Sequence, residues 1–431
     1  MSDTITSPHQ ADAIAASVTR RNYTLGVANG FLYITAETVM DPTLVMVAFL
    51  SHLTDSPLLL GLVLPIRDGA WSLPQLWVSG FLQSMPRKVD FYRKISYLRI
   101  ATWVVVALAM NFVREPGLAL ALFFGAFVVS SFASGLGGLP FLEVVGKVIP
   151  SEQRGEFFAW RFGLGGLGSI AASGFVRWVL DAGSPLEFPH NYGILAVIFL
   201  VLGTISVMAF NSIREQPDLV LQPRQNLSVQ LKRSLEVTRQ NARYRAFLVL
   251  ELMLMLAGSA TPFFAVYVQQ RLGGSAAMIG IYLGVWTATN LLSNAYFGRI
   301  ARRVGVQKVM LAAAGAGVLL SALVLLLTLL AGPLHIPPRI AEIWLIPVFV
   351  LVGIRGSGIG VSSNSLMLDI APEAERSLYL GFTNTLMGAV LLLTGISGVV
   401  VELFGFQTLV VVTLIAHALA LYAGRQVMRR G

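Results

Sequence analysis

The chain has 431 residues, 55% of them hydrophobic and only 12% charged, with a mean hydropathy of +0.72. Soluble domains carry about twice that charged fraction, so composition excludes a soluble globular fold and places most of the chain in lipid. The absence of cysteine excludes disulfides, thiolate metal sites and a cysteine nucleophile. The net charge of +9 sits in short Lys/Arg clusters between apolar runs. That is how topogenic loop charges are distributed, and it argues against a nucleic-acid surface.

Residues 1–20 are polar and hold no apolar core before a cleavage site, so the first apolar run is expected to be a retained helix rather than a removable signal. A membrane-spanning helix needs about 20 mostly apolar residues. By that measure twelve spans follow in order, near 24–50, 58–84, 95–113, 118–145, 156–180, 191–210, 245–270, 275–298, 306–331, 341–366, 378–401 and 404–427. Their continuous apolarity points to helices, since barrel strands would alternate polar and apolar over about 10 residues.

The loops orient the chain. With the N-terminus inside, the inner loops and tails collect Arg20, Arg21, Arg87, Lys88, Arg93, Lys94, Lys147, Arg154, the basic set at 214–245, Arg299, Arg302, Arg303, Lys308, Arg376, Arg425, Arg429 and Arg430. The outer loops hold only Arg114, Arg177, Arg271 and Arg339. Both termini are therefore expected in the cytoplasm, with the protein in the plasma (inner) membrane. The polar connection 211–244 contains LSVQLKRSLEVTRQNARYRAF, which reads as an amphipathic helix on the inner membrane face. The expected organisation is a tail (1–21), a six-helix bundle (22–210), a central loop (211–244), a second six-helix bundle (245–427) and a short tail (428–431).

The two halves repeat each other. VIPSEQRGEFFAW (148–160) lines up with IAPEAERSLYLGF (370–382), matching Pro150 to Pro372 and Arg154 to Arg376. GFLQSMPRKV (80–89) occupies the same relative place as GRIARRVGVQ (298–307). The offsets, 222 and 218 residues, are close to half the chain. The fold class that follows is an all-α polytopic membrane protein of twelve helices in two six-helix pseudo-repeats, with a site where the halves meet near the bilayer midplane.

At these loops the chain resembles the major facilitator superfamily, over essentially its whole length. GRIARRVGVQK (298–308) is similar to the family's G-x-x-x-D-R-x-G-R-R/K signature, with Gly298, Arg303 and Gly305 in place and Arg302 where Asp is usual. The first copy keeps Gly80 and Lys88 but has Ser84 and Met85 where Asp and Arg are expected. Pro150, Arg154 and Gly155 resemble the motif after the fourth helix. The resemblance implies secondary transport by alternating access, and the departures put the usual Asp-based charge relay in doubt. Arg154, Arg303 and Arg376 are candidate latches that cap helix ends or pair with acids across the halves, with Glu143, Glu156 and Asp369 as candidate partners. Topogenic charge alone also accounts for such arginines.

A charged residue at a helix centre costs about 2.5–3.5 kcal/mol on insertion scales, so such residues face protein or water and are functional candidates. Here they are Glu37 and Asp41 on helix 1, Arg67 and Asp68 on helix 2, Arg161 on helix 5, Glu251 on helix 7 and Arg355 on helix 10. Asp41 and Arg67 are each nine residues from the outer ends of their helices, hence at one depth. Glu37 and Asp41 share a helix face. An Arg67 bridge to either acid is expected, leaving carboxylates unpaired to carry a proton, in the order Asp41, Asp68, Glu37. A static neutral cluster of the same residues is the alternative.

A shift of 219 places Arg67, Trp71 and Gln75 over Trp286, Asn290 and Asn294, one stripe per helix. These are candidate substrate contacts, or interhelical hydrogen-bond glue. Arg355, flanked by glycines in LVGIRGSGIG, is a candidate anchor for an anionic group, with a pairing to Glu251 as the alternative. The five histidines show no metal-ligand spacing and no nucleotide phosphate loop occurs, so no metal, cofactor or enzymatic activity is expected. The reading is a proton-coupled transporter of a small organic, anionic solute, working as a monomer in the bilayer. A transporter-fold receptor or membrane-complex assembly factor without flux is its rival.

Overall fold

A computed structural model of the chain describes residues 8–82, 84–218, 227–372 and 376–429. The regular structure among these residues is helical. The N-terminal half comprises α1 (Pro8–Val39), α2 (Val45–Leu50), α3 (Pro57–Ser72), α4 (Gln75–Leu82), α5 (Lys88–Phe112), α6 (Pro116–Val148), α7 (Ser151–Val179) and α8 (His190–Asn211). After the connecting α9 (Leu227–Gln240) come α10 (Ala242–Gly258), α11 (Thr261–Leu272), α12 (Met278–Val304), α13 (Val306–Ala331), α14 (Pro338–Ile370), α15 (Arg376–Leu393), α16 (Ile396–Phe404) and α17 (Phe406–Arg429). They form twelve spans, four of which are broken in two: α1/α2, α3/α4, α10/α11 and α15/α16.

Each break has a local cause. Pro42 has no N–H to give, and the Asp41 carboxylate accepts from the Thr43 and Leu44 amides at 2.9 and 2.8 Å. Pro74 follows α3 and Pro262 opens α11. At the α15/α16 break the Thr394 hydroxyl donates to the Leu391 carbonyl at 2.6 Å. The first breaks of the two halves, at Met40 and Ser259, keep the 219-residue offset of the repeat.

Two segments differ from the sequence expectation. Helix α1 starts at Pro8, well inside the stretch read as a tail, because no glycine or proline interrupts 9–25. The amphipathic helix of the connection is present as α9 but stops at Gln240, where the Asn241 side chain turns to accept from the Tyr244 amide at 3.0 Å and caps α10.

Eight spans are apolar and long enough to cross a bilayer by composition alone. The other four, α1/α2, α3/α4, α7 and α12, carry the polar and charged residues discussed below, and they face one another across the boundary between the halves.

The halves are fused on one side only. Away from the termini a single apolar core draws on both, from Val45–Leu50 and Val63 to Phe263–Phe264, Ile279 and Tyr282. Toward the termini it divides into two separate clusters, one around Tyr92, Phe157 and Phe210 and one around Tyr244, Phe247 and Tyr379. Two glycines permit the fused side. A Cβ at Gly280 would strike Arg177 and Ser173 of α7, and one at Gly398 would strike the backbone of Pro57 and Leu58 on α3.

On the terminal side an ionic knot ties the chain leaving α8 to α5 and α6. Glu215, its side chain fully buried, accepts from the Val89 amide at 2.8 Å and from Lys147 at 3.1 Å. Asp218 pairs with Lys147 at 2.7 Å and with Lys88. The Lys147 and Lys88 ammonium groups hold the Asp218 carboxyl below its usual range.

A depressed carboxyl stabilises the fold above its unfolded pKa and loses that contribution as pH falls through the folded value. Asp218→Asn should therefore lower Tm at pH 7 by about 1–3 °C, and the gap to wild type should close on acidification. Thermal unfolding from pH 7 to 3 checks this. Gly398→Val should wedge the fused side open; because the chain has no cysteine, a spin-label pair placed there reads the added distance directly.

Candidate functional site

Between the halves lies a cavity of about 460 Å³. Its walls come only from the four less apolar spans: Ile34, Glu37, Thr38 and Asp41, then Arg67, then Phe162, Gly166 and Ser169 of α7, then Leu283, Trp286, Thr287, Asn290, Leu291 and Asn294 of α12. Polar residues carry an insertion penalty in each of the four helices, and this one space is lined from all four.

Arg67 is the centre of the charge. It sits two residues past Pro65 in α3, and Gly69 lets this part of the helix press on Leu392 and Gly388 of α15. Its guanidinium donates to Glu37 at 2.5 Å and to Asp68 at 3.1 Å. The bridge across helices thus goes to Glu37, and Asp41 spends one carboxylate oxygen on the α1/α2 break. The side chains of Arg67, Glu37 and Asp68 keep 38%, 22% and 40% exposure, so the cluster is only partly desolvated.

Behind the ion pair a second cavity, of about 320 Å³, lies within the N-terminal half between α1, α3, α5 and α6. Glu37 and Arg67 line both spaces and form the partition between them. Its other walls include Tyr33, Met46, Asp68, Trp71, Arg99, Trp103 and Phe127. Arg99 and Tyr33 escaped the sequence reading. Arg99 stacks over the Tyr33 ring at 5.7 Å. The signal was there: α5 begins at Lys88, which puts Arg99 about 17 Å along the helix rather than at its inner end.

The two stripes divide. Arg67 and Trp71 line the second cavity, and Trp71 is 41% exposed. Gln75 is buried, its amide 3.5 Å from the Trp71 carbonyl. On α12, Trp286, Asn290 and Asn294 all line the cavity between halves. The asparagines also hold α12 to α14: Asn290 donates to the Gly353 carbonyl at 3.4 Å, Asn294 donates to Asn290 at 2.9 Å, and Ser357 donates to Asn294 at 2.9 Å.

Arg355 is placed inside the C-terminal half and lines neither cavity. Its guanidinium donates to the Leu254 carbonyl of α10 and packs 3.3 Å from where a Gly258 side chain would be. Glu251 takes its hydrogen bond from Ser363 at 2.7 Å. Among the latch candidates, Arg154 donates to the Ile149 carbonyl at 3.0 Å and to the Gly146 carbonyl, capping α6. Arg303, Glu143 and Asp369 are exposed and form no ion pair among the described residues. Glu156 accepts from Trp160 at 3.2 Å, and the Arg376 side chain lies outside the described residues.

The model of the Major Facilitator Superfamily matches residues 27–395. This chain belongs to that superfamily. The membership and the fold make it a transporter-type membrane protein rather than an enzyme. Among solved structures it is similar to a point mutant of the nucleoside transporter NupG, with a TM-score of 0.73, 16% identity, 94% of this chain and 99% of that one covered. It is similar to a bacterial homologue of the iron transporter ferroportin in its inward-facing state, with a TM-score of 0.69, 14% identity, and 94% and 98% covered. Against a ferroportin homologue in the outward-facing state the TM-score falls to 0.58, at 13% identity with 95% and 99% covered. No curated protein sequence matches.

Removing one member of a shielded ion pair strands the other, whereas removing both does not. Glu37→Gln and Arg67→Met should each destabilise this superfamily member, and the double variant should recover about 1–2 kcal/mol of their sum. Thermal unfolding in detergent measures that coupling; additive single effects would contradict the geometry.

Proposed function

We propose that this chain is a secondary active transporter that moves a small organic anion by alternating access, coupled to protons, with both termini in the cytoplasm of an inner-membrane protein. The observation that carries the reading is the cavity between the halves, walled by the four least apolar spans and lined by Glu37, Asp41 and Arg67, with Asp68 paired to Arg67 from the cavity behind. Its two sides differ. The halves share one core away from the termini and separate toward them, which supports a state open to the cytoplasm, as does the better fit to an inward-facing neighbour.

The division of labour follows from charge. In the N-terminal half, Arg67 has Glu37 and Asp68 as partners, while Asp41 lines the same cavity with no cation paired to it among the described residues. Asp41 is therefore the first candidate to take a proton, with Asp68 and Glu37 next. Protonating a carboxylate beside Arg67 would change which acid the guanidinium holds and so bias the equilibrium between the two open states. The neutral α12 stripe of Trp286, Asn290 and Asn294 faces the same space and is assigned to substrate contact. Arg154, Arg303 and Arg376, with Glu143 and Asp369, stand at helix ends where they would hold one state closed.

Asp41→Asn is the informative variant. The amide oxygen keeps an acceptor for the Thr43 and Leu44 amides, so the break survives while the proton site is lost. In proteoliposomes, flux driven by a pH gradient should fall at least about tenfold while thermal stability holds. Wild-type flux without any response to the gradient would remove proton coupling. No flux of any solute would leave a receptor or assembly factor as the function.

A further inference from the structure

The cavity inside the N-terminal half has a lining that the proposed cycle does not use. On α6, Phe127, Ser130, Ser131 and Ser134 fall at positions i, i+3, i+4 and i+7 and so share one face, and all four line the cavity. Helical serines usually return their hydroxyl to a carbonyl one turn back, as Ser72 and Ser173 do here. Ser130, Ser131 and Ser134 make no hydrogen bond among the described residues, although Ser130 and Ser131 are both 5% exposed.

Opposite them, the Arg99 guanidinium lies over the Tyr33 ring at 5.7 Å. Arg67 is shared by Glu37 and Asp68, but no described acid forms an ion pair with Arg99, and its Nε is buried without a partner. A buried donor left unmade, as the Arg99 Nε is, is unfavourable. Here three hydroxyls and one cation face a space of about 320 Å³ with aromatic walls from Trp71, Trp103 and Phe127. A space of that size suits a small organic molecule.

We infer that the cavity enclosed by α1, α3, α5 and α6 is a binding subsite for a small monocarboxylate, its oxygens held by Arg99 and the α6 serines and its apolar body by the aromatic walls. The inference rests on the transport reading and names the substrate class for it. A guanidinium in no ion pair among the described residues matches one negative charge. A dianion would meet Glu37 and Asp68 across the same space, so phosphate esters are disfavoured. The Arg67–Glu37 pair, shared by both cavities, is then the gate through which the carboxylate passes to the space between the halves.

The test uses the purified full chain in detergent, with quenching of tryptophan fluorescence and thermal stabilisation as readouts. The probes are acetate, benzoate and indole-3-acetate, each against its neutral amide, with phenyl phosphate as the dianion. At least one of the acids should bind while its amide does not. Arg99→Gln should weaken that acid at least about tenfold, as loss of a charge-assisted hydrogen bond does, and Ser130→Ala/Ser131→Ala should weaken it with the fold and the cation intact. Arg114→Gln, which removes an exposed cation elsewhere, should leave it unchanged. Binding of none of the acids, equal binding of acid and amide, tighter binding of phenyl phosphate, or full affinity in both the arginine and serine variants would overturn the inference. Proteoliposome flux separates the two readings. Carboxylate binding without flux leaves the subsite standing and removes transport; flux of other solutes without carboxylate binding does the reverse.

Discussion

An ion in hydrocarbon has to be paired, wetted or both, and that constraint organises this molecule. Arg67 meets it with Glu37 at 2.5 Å and Asp68 at 3.1 Å, inside a space that leaves the cluster partly hydrated. A pair of this kind cannot be turned toward acyl chains. The spans that carry it, together with α7 and α12, must therefore face each other rather than the bilayer. The remaining eight spans are apolar enough to cross unaided, and they pack around these four, as α15 and α16 do against α3. The interior of the fold is thus sorted by hydration before any side chain packs.

The same sorting explains why the spans are broken where they are. A helix interrupted in lipid leaves amides and carbonyls unsatisfied. The breaks at Asp41–Pro42, Pro74, Ser259 and Thr394 occur where a side-chain oxygen, a proline or the facing half takes up the loss. Glycines let the α3 span press on the α15/α16 span, at Gly398 against Pro57 and Leu58 and at Gly388 against Ser72. Tight contact on one side and separation on the other is the geometry that a rocking pair of bundles needs, and here it is built from glycine and proline rather than from hinges in the connecting loop.

Fold and duplication were legible because they rest on long apolar runs and on a constant offset, both of which average over many residues. The charge cluster was legible for a similar reason: a charged pair inside LLLGLVLPIRDGAWSLPQLWVSGFL has little but a wetted space to face. What could not be read was anything that depends on a single boundary or rotation. Placing the third span at 95 rather than at Lys88 hid Arg99 by putting it about one turn from the inner end. Equal depth left Arg67 free to choose Glu37 or Asp41, and the choice was made by Pro42, whose break recruits Asp41 as a cap. The asparagines of α12 looked like either substrate contacts or glue, and the geometry gives them both positions at once.

Not every charge buried in the membrane belongs to the site, and two arginines show how to tell. Arg161 of α7, 8% exposed, donates to the Gly26 carbonyl at 2.9 Å and to Asn29 at 2.7 Å, both on α1. Arg355 of α14 donates to the Leu254 carbonyl of α10. Each reaches the backbone of the first span of its own half, and neither lines either cavity between or beside Arg67. A backbone carbonyl is a neutral acceptor that cannot take a proton, so such a contact fixes helix against helix and does not titrate. Arg67 differs in having carboxylate partners and two cavities at its flanks. It is the identity of the acceptor, rather than burial alone, that distinguishes these two arginines from Arg67.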